Sequence, residues 1–472
     1  MSTRTIVQPS VALADPHIVS DIRDRRSIIG AIYDSLVRRD DAGQFIPWLA
    51  ERWELADDAR TWTFALRRGV VCHNGDALEA ADVAASIQRA IDHQGGELGT
   101  QGVYRSYLGG STLTAIDTTT LQIVTPRPLA DLLDLLVDIP AAPRAALATL
   151  AETPVGSGPY RLVAAEPGRV EMVAFADHWA GRPSVERLVW LGEPDAARRG
   201  ELLLSGTAQL AVDVAPAIRD ALATSGGETV SAPSWLCVIF LANCYGGPCA
   251  DARVRRALNY ALDVPALIAD PQIMGGNARQ LAGPLAPRHP AIDGRLAPYR
   301  VNPELARELL AAAGYGQGLA LTIDLPARFP DESIALAERM AAVYAAVGVT
   351  CTLRVHEDRA AYAEMVRAKQ IGDLCCFDSS PPSAYRVLRE KLDSRAQGPW
   401  WQGYANGQVE ALTDAAAATV DADARLERYR EAMALVRDDA PWVFLYAPDY
   451  CWGVGAALAG WRPTAEGRVR LS

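Results

Sequence analysis

The chain has 472 residues, half of them hydrophobic and 22% charged, with a formal net charge of −11. That is globular composition, too long for one core and sufficient for two or three domains. The acidic balance, with no basic stripe to neutralise phosphates, excludes a nucleic-acid partner, and no apolar run approaches the roughly 18–20 residues of a membrane span.

The start, Met1 to Val7, lacks the apolar core of a signal peptide, so two expectations stand: an export signal already removed, or a cytosolic protein. Thr5-Ile6-Val7 alternates as a strand would, and the pattern breaks at Asp15-Pro16-His17. A helix is expected from about Ser27, with Ile28, Ile29, Ile32 and Leu36 on one face. Residues 45–72 read as a strand meander, with Trp53-Glu54-Leu55, a turn at Asp57 to Arg60, and Thr61 to Leu66. Asn74-Gly75-Asp76 is a tight turn, and His73 before it reads as a hydrogen-bonding structural residue. A helix opens at Ala80-Ala81-Asp82 with Val83 and Ile87 inward. Pro154 to Tyr160 is a second break, rich in glycine and proline, followed by a strand from Tyr160 and another at Leu188 to Leu191.

Val238 to Leu241 reads as a buried strand ending at Asn243. Cys244 and Cys249 bracket a turn in which a local disulfide is possible without being required. The helix from Asp251 carries Val254, Leu258 and Leu262 inward, and Arg253, Arg255 and Arg256 read as its solvated face. Asn302-Pro303-Glu304 is an N-cap, an N1 proline and an early acid, and Gly314 ends that helix. Strand, helix and strand then alternate through Leu319 to Ile323, Ser333 onward and Val349 to Leu353, which predicts a mostly parallel sheet flanked by helices.

The apolar run Leu374 to Phe377 delivers one carboxylate, Asp378, into the Ser379-Ser380-Pro381 stretch, and Trp400-Trp401 follow. A lone acid beside aromatic surface suits a cationic group rather than covalent chemistry. Asp378 could instead cap the next helix or turn. The tryptophans could wall a ligand or pack in a core, and the sequence leaves both open. Catalytic readings fail: Gly156-Ser157-Gly158 lacks nucleophile-elbow spacing, no phosphate loop occurs, and Asp57-Asp58 and Asp438-Asp439 read as solvated acids. Neither the eight cysteines nor the six histidines stand at metal-ligand spacing, so no metal and no cofactor is expected.

Taken in order, several stretches resemble the large solute-binding proteins of ABC importers, family 5, which bind oligopeptides, dipeptides, nickel chelates and related solutes. These are Tyr33-Asp34-Ser35-Leu36-Val37, Pro47 to Trp53, Trp62 to Val70, His73 to Leu78, Gly156 to Tyr160, Asp251 to Asp263 and Ala312 to Tyr315. The resemblance covers nearly the whole chain. It implies an α/β, periplasmic-binding-protein-like fold (type II, cluster C), with two mixed-sheet lobes joined by a two-strand hinge and an extra inserted α/β domain. Lobe I would hold residues 1–31, 154–244 and 449–472, the inserted domain 32–153, and the remaining lobe 245–448. The crossovers would lie near Asn243 and near Tyr446 to Cys451.

The implied function is that of an extracytoplasmic, periplasmic monomer that makes and breaks no bond. It would capture a short peptide or amine-bearing small molecule by hinge closure and deliver it to an ABC importer's membrane subunits. A cytosolic ligand-sensing protein on the same scaffold is the alternative. In peptide-binding relatives an acid of the form Asp-x-x-x-Pro-x-x-aromatic pairs with the ligand's α-amine, and Asp378, Pro382 and Tyr385 match that spacing. Ser379, Ser380, Trp400, Trp401 and Asn243 are expected beside it. Asp21 and Arg23 are expected from the N-terminal segment, with an arginine there able to hold a ligand carboxylate. The sequence differs from many peptide binders in its Ser-Ser-Pro loop and in Gly407, where a proline often follows.

Overall fold

The computed structural model describes residues 2–18, 23–93, 102–215, 218–328 and 330–471. Residues 1–232 with 450–472 pack as one unit and residues 233–449 as another. The chain therefore passes between them at 232/233 and 449/450, against expected passages at 244/245 and 448/449.

In the first unit, Thr3–Gln8 pairs in parallel with Arg187–Gly192 and with Leu210–Val212, and the hairpin strands Arg169–Ala174 and Tyr160–Glu166 extend the sheet. Ile6, Leu188 and Trp190 face the helix Arg23–Ile32 in a shared core with Ile28 and Ile32. A separate antiparallel sheet orders Ala50–Leu55, Thr61–Leu66, Thr120–Val124 and Thr112–Ala115; its first two strands lie in the meander expected over 45–72, and the other two come from beyond it.

The expected helix through Leu36 stops four residues short, at Ile32. Gly158 donates its N–H to the Ile32 carbonyl at 2.9 Å. A Cβ on Gly158 would stand 2.5 Å from the Ile32 carbonyl carbon and 2.7 Å from the Tyr33 nitrogen, so only glycine lets the two segments meet. Asp34, fully buried just beyond, is a hub. Its carboxylate accepts from the indole N–H groups of Trp48 (2.6 Å) and Trp179 (3.0 Å), from the Ser157 hydroxyl (2.9 Å) and from Arg38 (3.1 Å). Three of the stretches that carry the resemblance are thus parts of one buried polar network. Burial alone would raise this carboxyl, and the hydrogen bonds outweigh it and hold it below the usual range.

His73 is structural, as expected: its ring meets the Gly158 carbonyl at 2.9 Å through Nε2 and accepts the Gly156 N–H through Nδ1.

The second unit orders its strands Val349–His356, Leu319–Pro326, Leu374–Ser379, Cys237–Ala242 and the first part of Trp442–Val454, with Ala278–Gln280 beside the last. Leu319–Pro326 is parallel to both of its neighbours, but Cys237–Ala242 runs antiparallel to both of its own. The sheet is mixed rather than mostly parallel, because Cys237–Ala242 and Trp442–Val454 carry the chain in opposite directions. Cys237–Ala242 is buried on both faces, which explains its unbroken apolar run.

Helix starts follow their caps. The Asn302 side chain accepts from the Leu305 N–H and that of Asp251 from the Arg253 N–H. Arg255 overturns the solvated-face reading of its helix. It is 6% exposed, and its guanidinium donates to the carbonyls of Cys249, Ala250, Asp439 and Ala440. Asp439 is likewise not a solvated acid, since it accepts from the Tyr404 hydroxyl and the Asn406 amide at 2.6 Å each. Cys244 and Cys249 are free thiols.

Candidate ligand site

Three parallel strands of the second unit end at one edge of its sheet. Pro326 lies opposite His356, and Asp324 opposite Cys375, so Asp378 stands level with the residues just beyond Pro326. The crevice outside the carboxyl ends of parallel strands is where open α/β sheets hold ligands.

Asp378 lies within the strand Leu374–Ser379, beside Val238, not in the loop beyond it. It is no helix cap. That role belongs to Ser383, whose hydroxyl accepts the Arg386 N–H at 3.2 Å. The Asp378 side chain is one-third exposed, and Oδ1 receives Nη2 of Arg359 at 3.4 Å. Among the described residues nothing hydrogen-bonds to Oδ2. Arg359 opens the next helix after His356, and its Nε and Nη1 are buried without an acceptor. Its guanidinium lies 5.3 Å from the centre of the Phe377 ring.

Close by, Glu332 accepts the Tyr446 hydroxyl at 2.8 Å, and burial raises its carboxyl above the usual range. Tyr446 and Asp378 lie opposite Val238 on its two neighbouring strands, which brings the Glu332 contact to the same edge. The edge therefore presents two carboxylates and a guanidinium with open hydrogen-bonding capacity. It can pair with an ammonium and accept a ligand oxygen together.

The expected site residues divide between places. Ser379 is buried, with its hydroxyl unpartnered, and alternation along the strand turns it to the opposite face from Asp378. Ser380 is half-buried, and Tyr385 is buried on the helix Ala384–Lys391. Trp400 is buried with its ring centre 4.5 Å from that of Phe377, next to the Asp378 strand end. Trp401 packs edge-on against Tyr245 and donates to the Tyr404 carbonyl, which is structural work elsewhere.

Asn243 is not brought to Asp378. Val238 faces Asp378, so Asn243 lies five residues along the strand, about 16 Å away. Its amide is also committed, donating to the Gly372 carbonyl at 3.0 Å and accepting the Tyr245 N–H. Arg23 belongs to the first unit, is ion-paired with Asp213 and stacks 4.4 Å over Tyr450. Its Nη2 is committed to that pair, while its Nη1 is buried without a hydrogen-bond partner among the described residues. Asp21 lies outside the described residues.

The residues that sequence reading missed are Arg359, Glu332 and Tyr446. A charge at each strand's carboxyl end was the available signal for Arg359 and Glu332.

The model of the bacterial extracellular solute-binding proteins, family 5 (middle region), matches residues 44–374. The chain belongs to that family. As a family 5 solute-binding protein it is a binder and not an enzyme, and its family is extracytoplasmic, which leaves the cytosolic alternative without support.

Its relatives include the dipeptide-binding protein of Escherichia coli (strain K12), 27% identical over 434 residues that cover 84% of this chain and 80% of that protein. Heme-binding protein A of Haemophilus influenzae is 28% identical over 450 residues, covering 87% and 81%. The fold is that of the ABC transporter-associated periplasmic binding protein DppA from Helicobacter pylori, solved with peptide STSA. The two superpose with a TM-score of 0.81 at 21% identity, over 99% of this chain and 96% of that one.

Proposed function

We propose that this solute-binding protein captures a short peptide or amine-bearing small molecule, with Asp378 taking the ligand's ammonium. Hinge closure, with the two chain passages as the hinge, commits the ligand, and residues 32–153 form an inserted domain beside the two ligand-holding lobes. Such closure needs no chemistry beyond a ligand that binds the closed state better than the open one. The protein works in the periplasm as a monomer and hands its ligand to the membrane subunits of an ABC importer. Relatives named for dipeptides and for heme show that the scaffold alone does not choose the solute, so the choice rests on side chains.

The observation that carries the reading is Asp378, held at the carboxyl end of a parallel strand with one oxygen open and its other oxygen loosely paired. Arg359 already supplies one cation within the chain, so an incoming ammonium shares the carboxylate rather than rescuing an isolated charge. Arg359 Nε and Nη1 are buried without an acceptor.

Isothermal titration with a dipeptide library, each peptide paired with its N-acetylated form, tests this. Free-amine peptides are expected to bind and acetylated ones to fail. Asp378→Asn is expected to weaken binding by about 10- to 100-fold, the range of a charge-assisted hydrogen bond. Equal affinity of wild type and Asp378→Asn for every peptide that binds would overturn the assignment.

A further inference from the structure

Inside the first unit lies a cavity lined by Arg38, Trp190, Glu466, Arg468 and Arg470, closed on one side by Arg26 and the small residues of the helix Arg23–Ile32. Its charges do not balance. Arg38 is matched by Asp34 at 3.1 Å and lies flat on the Trp48 ring. Arg468 is paired with Asp138 at 2.5 Å, which Arg26 also meets at 2.9 Å, and with Glu466 at 3.1 Å. Arg470 forms no ion pair and no side-chain hydrogen bond with any described residue.

Like charges crowd there. Burial first, and Arg470 next, push Arg38 down, while burial and then Arg468 push Arg470 down against the pull of Glu466, Asp34 and Asp41. A second observation is independent of charge. The Trp190 indole is 1% exposed and its N–H has no acceptor, although a buried indole N–H ordinarily finds one. Among the described residues Arg470 is half-buried with no ion pair and the Trp190 N–H has no acceptor, although Glu466 Oε1 in the same lining is an unmet acceptor; a single anion reached by both donors would answer the first two.

We propose that this cavity is a site for a small inorganic anion, such as a halide or phosphate, held by the Arg470 guanidinium and the Trp190 N–H. It lies wholly within the first unit and stands apart from the Asp378 site, so neither reading depends on the other.

Thermal unfolding of the full chain, titrated with sodium bromide or sodium phosphate at ionic strength held constant with sodium gluconate, tests it. The wild-type midpoint is expected to rise by several degrees and saturate, and that of Arg470→Gln to stay flat. Superimposable curves for the two proteins would overturn the site. Should Arg470→Gln fail to fold, Trp190→Phe removes only the donor and is expected to move the half-saturation point at least threefold higher. An unmoved half-saturation point overturns the proposal equally. A bromide-soaked crystal is expected to show anomalous scattering between Arg470 and Trp190, and its absence there counts against the site.

Discussion

Arg359 and Arg255 are both arginines at the beginnings of helices, and burial gives them different work. Arg359 stands beside a partly open carboxylate and keeps two donors unmet, which is a posture for ligand. Arg255 spends its guanidinium on four backbone carbonyls and holds the end of the helix Ala422–Asp439 against the Cys249 turn. Arg255→Met is therefore expected to lower unfolding free energy by about 3 kcal/mol or more, because it orphans buried carbonyls as well as removing bonds. Urea denaturation followed by circular dichroism measures it. A loss below 1 kcal/mol, the size of a surface change, would return Arg255 to the solvated face that its spacing suggested. Spacing misled there because a helical wheel shows which residues share a face, not what packs over that face from 184 residues away. The acid at Asp378 was legible in sequence from its place after an apolar run. Its partner was not, since Arg359 opens the helix that follows Val349–His356, a strand two places away in the sheet.

Among elements, local signals were read well and pairings between distant segments were not. Caps at Asn302 and Asp251, the meander over 45–72 and the buried strand at Val238 to Leu241 all follow from residues within a few positions of one another. The end of the first helix at Ile32 does not, because a segment over a hundred residues later sets it. Gly156 and Gly158 press their backbones on Ile32 and Tyr33. Gly158→Ala is expected to cost about 2–3 kcal/mol, since its Cβ would meet backbone, which cannot step aside as a side chain can. The same change at Gly168, a turn glycine with open space around it but φ of +74°, is expected to cost only about 1 kcal/mol. Comparing the two urea midpoints separates crowding from backbone strain. A Gly158→Ala protein as stable as wild type would show that the helix end shifts to make room. The antiparallel register that separates Asn243 from Asp378 was equally out of reach, because strand neighbours are a property of the sheet and not of either strand.

At the scale of the whole molecule, two units with separate cores make a single two-state unfolding step a poor expectation. Acid should act on the first unit through His17. Burial pushes its imidazole down to about 4, and its hydrogen bonds fit only the neutral ring: Nε2 donates to the Pro140 carbonyl and Nδ1 accepts from Arg89. Between about pH 6.5 and pH 4 the unfolded chain takes up a proton there that the folded chain refuses. Stability is therefore complete above pH 6.5 and falls as pH drops toward 4, by roughly 3 kcal/mol for this group. His73, also pushed down to about 4 by burial, adds to the same window. Calorimetry at pH 7.5 and pH 5 is expected to show the transition of the first unit moving to lower temperature, less so in His17→Gln. A transition that ignores pH across this range would contradict the neutral ring.

The free thiols make those transitions separable by mass. Cys72 and Cys451 lie in the first unit, and Cys237, Cys244, Cys249, Cys351, Cys375 and Cys376 in the second, all with thiols pushed up by burial. Alkylation needs the exposed thiolate, so the five buried thiols, Cys72 in the first unit and Cys237, Cys249, Cys375 and Cys376 in the second, wait on opening of their own unit. Pulsed labelling in urea should add reagent to the buried thiols in two groups, Cys72 alone and a set of four, and the order of their arrival would report which half of the molecule gives way first.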